Sequence, residues 1–163
     1  MIYTTIDSPV GLLLLAGDGA RLSRLAFLGD GARRPPSPPA GWQQDPRPFA
    51  SVRRQLDEYF EGSRRTFDIP LALDGTEWEQ RVWQALLQIP YGETRSYGQI
   101  ATRVCSVRAA RAVGLANGRN PVAIIVPCHR VVGSDGRLTG FGGGLDRKRS
   151  LLDLESGRLA LTL

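Results

Sequence analysis

Hydrophobic and polar positions change their spacing several times along the chain. From Met1 to Gly29 the apolar residues fall in short runs, MIYTTI, VGLLLLAG and ARLSRLAFLG, separated by DSP and GDG. Runs of that length bounded by turn residues predict strands, with a hairpin at Asp18-Gly19. From Gly31 to Pro48 the pattern stops, and this stretch holds six of the eleven prolines. A segment so poor in N–H donors cannot be a helix and predicts a surface loop. From Phe49 the spacing Phe49, Val52, Leu56, Tyr59 and Phe60 traces one helical face, with Gly62 placed to end it.

The second half opens on TEWE, which reads as a capping box with Thr76 at the N-cap and Glu79 three residues on. The helix behind it presents Trp78, Val82, Trp83, Leu86 and Leu87 and stops before Pro90. SYGQIATRV begins with a second capping box, Ser96 and Gln99, and a further helix runs through VRAARAVGLANG, capped by Ser106 and ended by Gly118. Two short helices joined tightly are a helix-turn-helix candidate, although helical hairpins also fill ordinary cores. The β-branched run Val122 to Val126, bounded by Pro121 and Pro127, predicts a short buried strand leading to Cys128. A turn at Ser134-Asp135-Gly136 and the glycine run Gly142 to Gly144 precede a last helix, with Leu145, Leu151, Leu152 and Leu154 toward the core and its end near Glu155 and Gly157. The expected fold class is α+β. Residues 1–75 form a small N-terminal α/β domain with an antiparallel sheet, and residues 76–163 a mostly helical C-terminal domain.

Composition narrows the function. At 163 residues and 42% hydrophobic the chain can bury a core, and it has neither an apolar run of membrane-spanning length nor the basic start of a secretory signal. A soluble, cytoplasmic protein without membrane partner is expected. Two cysteines, Cys105 and Cys128, and one histidine make neither a disulfide framework nor a four-ligand zinc site without carboxylates, so no metal and no cofactor are expected. The net charge of +5 lies entirely in the second half. Residues 1–75 balance nine Arg against nine acids, whereas residues 76–163 carry twelve Arg plus Lys against seven acids. No acid occurs between Glu93 and Asp135, a gap that holds Arg95, Arg103, Arg108, Arg111, Arg119 and Arg130. Such a stretch suits a polyanionic partner, or else is a solvated basic face.

The single histidine directly follows Cys128. A thiolate is a strong nucleophile once its pKa falls below the free value, and a nearby histidine is the usual means. Sequence neighbours point to opposite sides of a regular strand, so Pro127 must break the strand to let Cys128 and His129 cooperate through a turn or a bridging water. Glu155 is a candidate to orient the imidazole, and Arg130 adds positive charge. The plainer reading is a small buried cysteine beside a hydrogen-bonded histidine, and a Cys-His hydrolase would use the same pair. Cys105 has no such neighbours and reads as structural.

The segments IPYGETRSYGQIA, AARAVGLANGRNPVAIIVPCHRVVGSDGRLTGFGGG and RKRSLLDLE, in that order, resemble the O6-alkylguanine-DNA alkyltransferases. The resemblance implies a DNA repair protein that irreversibly moves the alkyl group of O6-alkylguanine to its own cysteine, once per molecule, on a base flipped out of double-stranded DNA, with O4-alkylthymine as a conceivable second substrate. Cys128 takes the place of the acceptor, His129 of a base acting through water, Glu155 of the group holding the imidazole, and Asn120 of a bridge between the helix pair and the active-site loop. Tyr97 corresponds to a residue contacting the base and the phosphate backbone, Arg111 to the one filling the gap in the duplex, and the backbone of Val131 to an acceptor for the guanine amine. Ser96, Ala110 and Gly114 fall on the DNA side, where small residues let the backbone approach the minor groove. Phe141 and Gly142 fall in the pocket, and Phe141 stands where many relatives have tyrosine, so a hydroxyl is lost there. The N-terminal half lacks the extra Cys and His of zinc-bearing members. A monomer is expected, and members that bind alkylguanine only to recruit other repair lack the cysteine retained here.

Overall fold

In the computed structural model, which describes residues 1–29 and 38–157, β1 (Ile2–Ile6), β2 (Leu13–Gly17) and β3 (Leu22–Phe27) form an antiparallel meander. Asp18 closes the expected β2–β3 hairpin, its Oδ1 accepting from the N–H groups of Ala20 and Arg21 at 2.8 and 2.6 Å. β2 is buried at every position, because it lies between β1 and β3 inside the sheet and both of its faces are covered. That burial is why LLLAG is continuously apolar instead of alternating. Residues 30–37, which include the first part of the proline-rich stretch, lie outside the described residues. Later in that stretch Gln43–Gln44 departs from the expected loop and forms β4, parallel to β1, with Gln43 N–H donating to Met1 O and Asp45 N–H to Tyr3 O. The pairing satisfies backbone groups that the edge of β1 would otherwise leave open.

α1 (Ala50–Phe60) buries Val52, Leu56, Tyr59 and Phe60 as the spacing predicts. α2 (Glu77–Leu87) and α3 (Tyr97–Val104) both start on complete capping boxes, Thr76 with Glu79 and Ser96 with Gln99. A 3-10 turn at Val107–Ala109 joins α3 to α4 (Ala110–Gly118). Ser106 does not cap this segment through its hydroxyl, since its carbonyl takes the Ala109 N–H to close the tighter turn. α2 locks onto α4 through both of its indoles, Trp83 Nε1 donating to Ala116 O at 2.9 Å and Trp78 Nε1 to Ala112 O at 3.2 Å.

The expected strand at Val122–Val126 is not one. Only Val122 bridges the sheet, at Leu25 of β3. The chain then turns back on itself through Ile124, whose φ of 71° is the only positive value at a non-glycine among the described residues. Ile125 N–H donates to Ala123 O and Val126 N–H to Val122 O, so the turn meets its own backbone needs. A β-branched residue in the left-handed region costs about 1–3 kcal/mol. Burial of Val122, Ile124 and Val126 with no exposed surface left offsets that cost.

β5 (Arg95–Ser96) pairs in parallel with β6 (Val131–Val132), which sets the start of α3 beside the chain leaving Cys128. α5 (Leu145–Glu155) turns Lys148, Leu151, Leu154 and Glu155 inward. Leu145 is exposed and Leu152 half-buried, contrary to expectation, because the face of α5 that meets the core is the one carrying Lys148 and Glu155. One hydrophobic cluster runs from Leu13 and Leu25 through Tyr59 and Trp83 to Val131 and Leu154, so the two halves share a core.

Candidate active site

Pro127 ends the buried turn, and Cys128–Arg130 forms a single 3-10 turn. That geometry answers the neighbour problem, since consecutive residues on a tight turn diverge around its axis instead of alternating across a strand. Cys128 lines a cleft of about 530 Å³, while His129 and Arg130 are buried against α5. His129 Nε2 lies 2.7 Å from Glu155 Oε2. Arg130 grips the same carboxylate, Nε to Oε1 at 2.7 Å and Nη2 to Oε2 at 3.0 Å, and its Nη1 donates to Ile89 O at 2.7 Å. Tyr59, from the N-terminal half, completes the cluster by donating to Glu155 Oε2 at 2.6 Å.

Burial alone would raise the Glu155 pKa, but the charges and hydrogen bonds of His129 and Arg130 bring it down to about 2. A carboxylate only accepts hydrogen bonds, so the proton on His129 sits at Nε2 and Nδ1 carries a lone pair. Nδ1 is buried and has no hydrogen-bond partner among the described residues. Burial also lowers the His129 pKa, against the pull of Glu155, so the ring is neutral near pH 7. It is a poised base. The Cys128 pKa is not lowered as the neighbouring histidine suggests: burial pushes it up, and the Asn120 hydrogen bond and the Lys148 charge only partly oppose that. The resting thiol holds its proton and needs a base when it reacts.

Asn120 stands between the end of α4 and the buried turn, its Nδ2 donating to Val126 O at 2.7 Å and its Oδ1 accepting from Val122 N–H at 3.0 Å. It therefore fixes the approach to Cys128 from both sides of the turn. Asn117, at the end of α4, donates to Cys128 O at 3.4 Å.

Both halves of the chain match family models: residues 1–73 match the ribonuclease-like domain, and residues 77–157 the DNA binding domain, of 6-O-methylguanine DNA methyltransferase. The chain belongs to the 6-O-methylguanine DNA methyltransferase family. The methylated-DNA--protein-cysteine methyltransferase of Mycobacterium tuberculosis is 56% identical over 156 residues, covering 96% of this chain and 93% of the relative. Its counterpart in Methanosarcina barkeri is 52% identical over 159 residues, covering 98% and 99%. The crystal structure of Mycobacterium tuberculosis OGT in complex with DNA superposes with a TM-score of 0.89 at 55% identity, covering 97% of this chain and 94% of that one.

In this member of the methyltransferase family the cleft gathers Cys128, Asn120, Phe141 and Gly142. Phe141 is buried with its ring edge-on to Phe27 of β3, 5.6 Å between centroids. Gly143 follows because a Cβ there would lie 2.4 Å from the Phe27 ring. Val131 is buried in β6 and its carbonyl accepts from Lys148 Nζ at 2.5 Å. Lys148 has no exposed surface, also donates to Thr139 O at 2.9 Å, and lies 6.0 Å from the Tyr97 ring centroid; burial lowers its pKa to about 8. Tyr97 donates its hydroxyl proton to Thr139 O at 3.2 Å. Ser96, Tyr97, Ala110, Arg111 and Gly114 do not line the cleft; they lie on α3, α4 and the N-cap of α3. The Ser96 hydroxyl caps α3, and Gly114 faces the Tyr97 ring, to which a Cβ would come within 3.9 Å. Arg111 is exposed, with no hydrogen bond or ion pair among the described residues.

Sequence reasoning passed over three members of the site. Tyr59 read as one more apolar residue of α1. Lys148 sat unnoticed inside the hydrophilic run DRKRS, although its spacing of three to Leu151 and seven to Glu155 puts it on their face. Asn117 carried no signal beyond its place near a helix end.

Proposed function

We propose that this protein repairs DNA by moving an alkyl group from O6 of guanine to Cys128, once per molecule and irreversibly. The observation that carries this reading is the buried Cys128 thiol in a cleft, hydrogen-bonded by Asn120 and followed on the same 3-10 turn by a neutral His129 anchored on Glu155. In the reaction Cys128 Sγ attacks the alkyl carbon in line and forms a thioether, while the carbon–O6 bond breaks and its electron pair stays with guanine. The thiol proton passes to His129 and ends on the guanine, so atoms and charge balance. Glu155 steadies the imidazolium while it exists. Among the described residues nothing in the cleft is arranged to hydrolyse a thioether, which leaves the protein spent.

A base stacked in a duplex cannot present O6 to a buried thiol, so the nucleotide must leave the stack, at a cost of about a few kcal/mol. In this reading α3 and α4 form a helix-turn-helix that binds double-stranded DNA through the minor groove, Arg111 fills the gap left by the base, and Tyr97 contacts the phosphate backbone. The small residues Ala110 and Gly114 let α4 approach the sugar-phosphate chain. Val131 and Phe141 present the base to Cys128. Residues 76–163 form the reacting unit and residues 1–75 the supporting one, acting as a monomer in the cytoplasm. No helix among the described residues is long and apolar enough to cross a membrane.

Intact-mass spectrometry after incubation with duplex DNA containing O6-methylguanine tests the proposal. The expected result is a gain of one CH2 per molecule, located on Cys128, with no further turnover. Removal of methyl from the DNA by the Cys128→Ala variant, or repeated turnover by the wild type, would overturn it.

A further inference from the structure

Tyr59 carries a polar group from the N-terminal half to the Glu155 carboxylate. It lies in the last turn of α1, has no exposed surface, and reaches Glu155 across 96 residues of sequence. A buried tyrosine needs a partner for its hydroxyl, and any backbone carbonyl would serve. The partner here is the carboxylate that anchors His129. Glu155 Oε2 thereby takes three hydrogen bonds, from Tyr59 at 2.6 Å, His129 at 2.7 Å and Arg130 at 3.0 Å.

We propose that Tyr59 is a positioning residue for alkyl transfer, its hydroxyl sharing the charge of Glu155 so that the His129 ring stays in the orientation and neutral form that takes the Cys128 proton. The inference rests on the alkyl-transfer reading above. Three donors compete for one oxygen, and each lessens the negative charge felt by the other two. Without the phenol, Oε2 binds the imidazole N–H more strongly and makes His129 more basic. The groups facing this cluster are Cys128 and Arg130 on the 3-10 turn, Lys148 on α5, and Tyr91 beyond α2, whose ring centroid is 6.2 Å from that of Tyr59 and carries Arg130 at 5.7 Å and Arg65 at 5.3 Å. Arg130 and His129 already spend their nearest donors on the carboxylate and Lys148 serves two carbonyls, so these three have no donor in place to replace the Tyr59 bond. Tyr59 itself stays protonated, since burial and then the Glu155 charge push its pKa well above the ordinary value.

The sign follows from the role of His129. A base must be neutral to act, so a more basic ring is lost to protonation at higher pH, and the acid limb of the rate profile moves up. The test measures single-turnover transfer from methylated duplex DNA across pH for wild type, Tyr59→Phe and a fluorotyrosine at 59. For Tyr59→Phe the rate on the acid side should fall about threefold to tenfold while the alkaline plateau holds. Fluorotyrosine, a stronger donor, should move the limb the other way. Val52→Ala, a buried truncation on the same helix, controls for lost stability and should leave the limb where it is.

A separate readout does not depend on transfer. His129 is the only histidine in the chain, so its ring nitrogens give one unambiguous NMR signal set in DNA-free protein. Changed ring 15N shifts in Tyr59→Phe support the proposal, and shifts identical to wild type overturn it. A uniform loss of rate at every pH also overturns it. If wild type takes no alkyl group at all, the transfer reading fails, and the NMR result still decides the Tyr59–Glu155–His129 coupling.

Discussion

Glu155→Gln keeps the shape of the side chain and removes its charge, which strands Arg130. Arg130 is only 6% exposed and its guanidinium directs three donors inward, two of them to Glu155. Removing one partner of a buried ion pair costs about 3–5 kcal/mol, because the remaining charge has lost its counter-charge without regaining water. The proton equilibrium gives a second figure. The carboxyl is held at about 2 against an ordinary 4.5, a gap worth about 3 kcal/mol. The two figures overlap, and for a chain of this length they correspond to a melting temperature lower by about 6–20 °C. Because the folded value is depressed, the contribution is fully present above the unfolded pKa and is lost as pH falls from about 4.5 toward 2. Urea unfolding at neutral pH and across that acid window should show wild type losing stability steeply and Glu155→Gln losing much less. Adding Arg130→Met should recover part of the deficit, since the stranded charge is its source. A Glu155→Gln protein within about 1 kcal/mol of wild type at neutral pH, with the same acid sensitivity, would refute the buried-pair account.

Two further substitutions test how the cleft is held. In Gly143→Ala the new methyl meets the Phe27 ring at 2.4 Å, so Phe27 and the edge-on Phe141 must shift; a stability loss of about 1–3 kcal/mol is expected, with an altered ratio of transfer rates for methyl and benzyl substrates. Asn120→Ala removes both bonds that bracket the turn before Cys128, which should cost about 2 kcal/mol in denaturant unfolding. It also removes the hydrogen bond that lowers the Cys128 pKa, so the pH at which iodoacetamide alkylates the thiol at half its maximal rate should rise; no rise would sink the role given to Asn120.

The elements that were legible in the sequence owe their shape to neighbours a few residues away. Thr76 with Glu79 and Ser96 with Gln99 are capping boxes closed within one turn, and the structure forms both. The Asp18 hairpin is a three-residue affair. Val122–Val126 shows where such reasoning ends. Its β-branched run favours a strand, yet β3 bonds it at a single position, and burial makes the left-handed Ile124 tolerable. Neither the available sheet edge nor the burial is a property of the segment itself.

Of the candidate site, the residues themselves named Cys128, His129 and Glu155, because a cysteine beside the only histidine after a proline is a chemical signal that needs no fold, and the family resemblance added Asn120. The sequence determined the residue types and the charge asymmetry of the second half. Tertiary structure decided which proton each group holds. The histidine beside Cys128 suggests a lowered thiol pKa, and burial raises it instead. Lys148 belongs to a run that reads as solvated, and the fold buries it against two carbonyls. Tyr59 meets Glu155 only because the fold brings the last turn of α1 to the end of α5. Desolvation and long-range hydrogen bonds depend on what the rest of the chain brings to a point in space, and no local window of sequence contains that information.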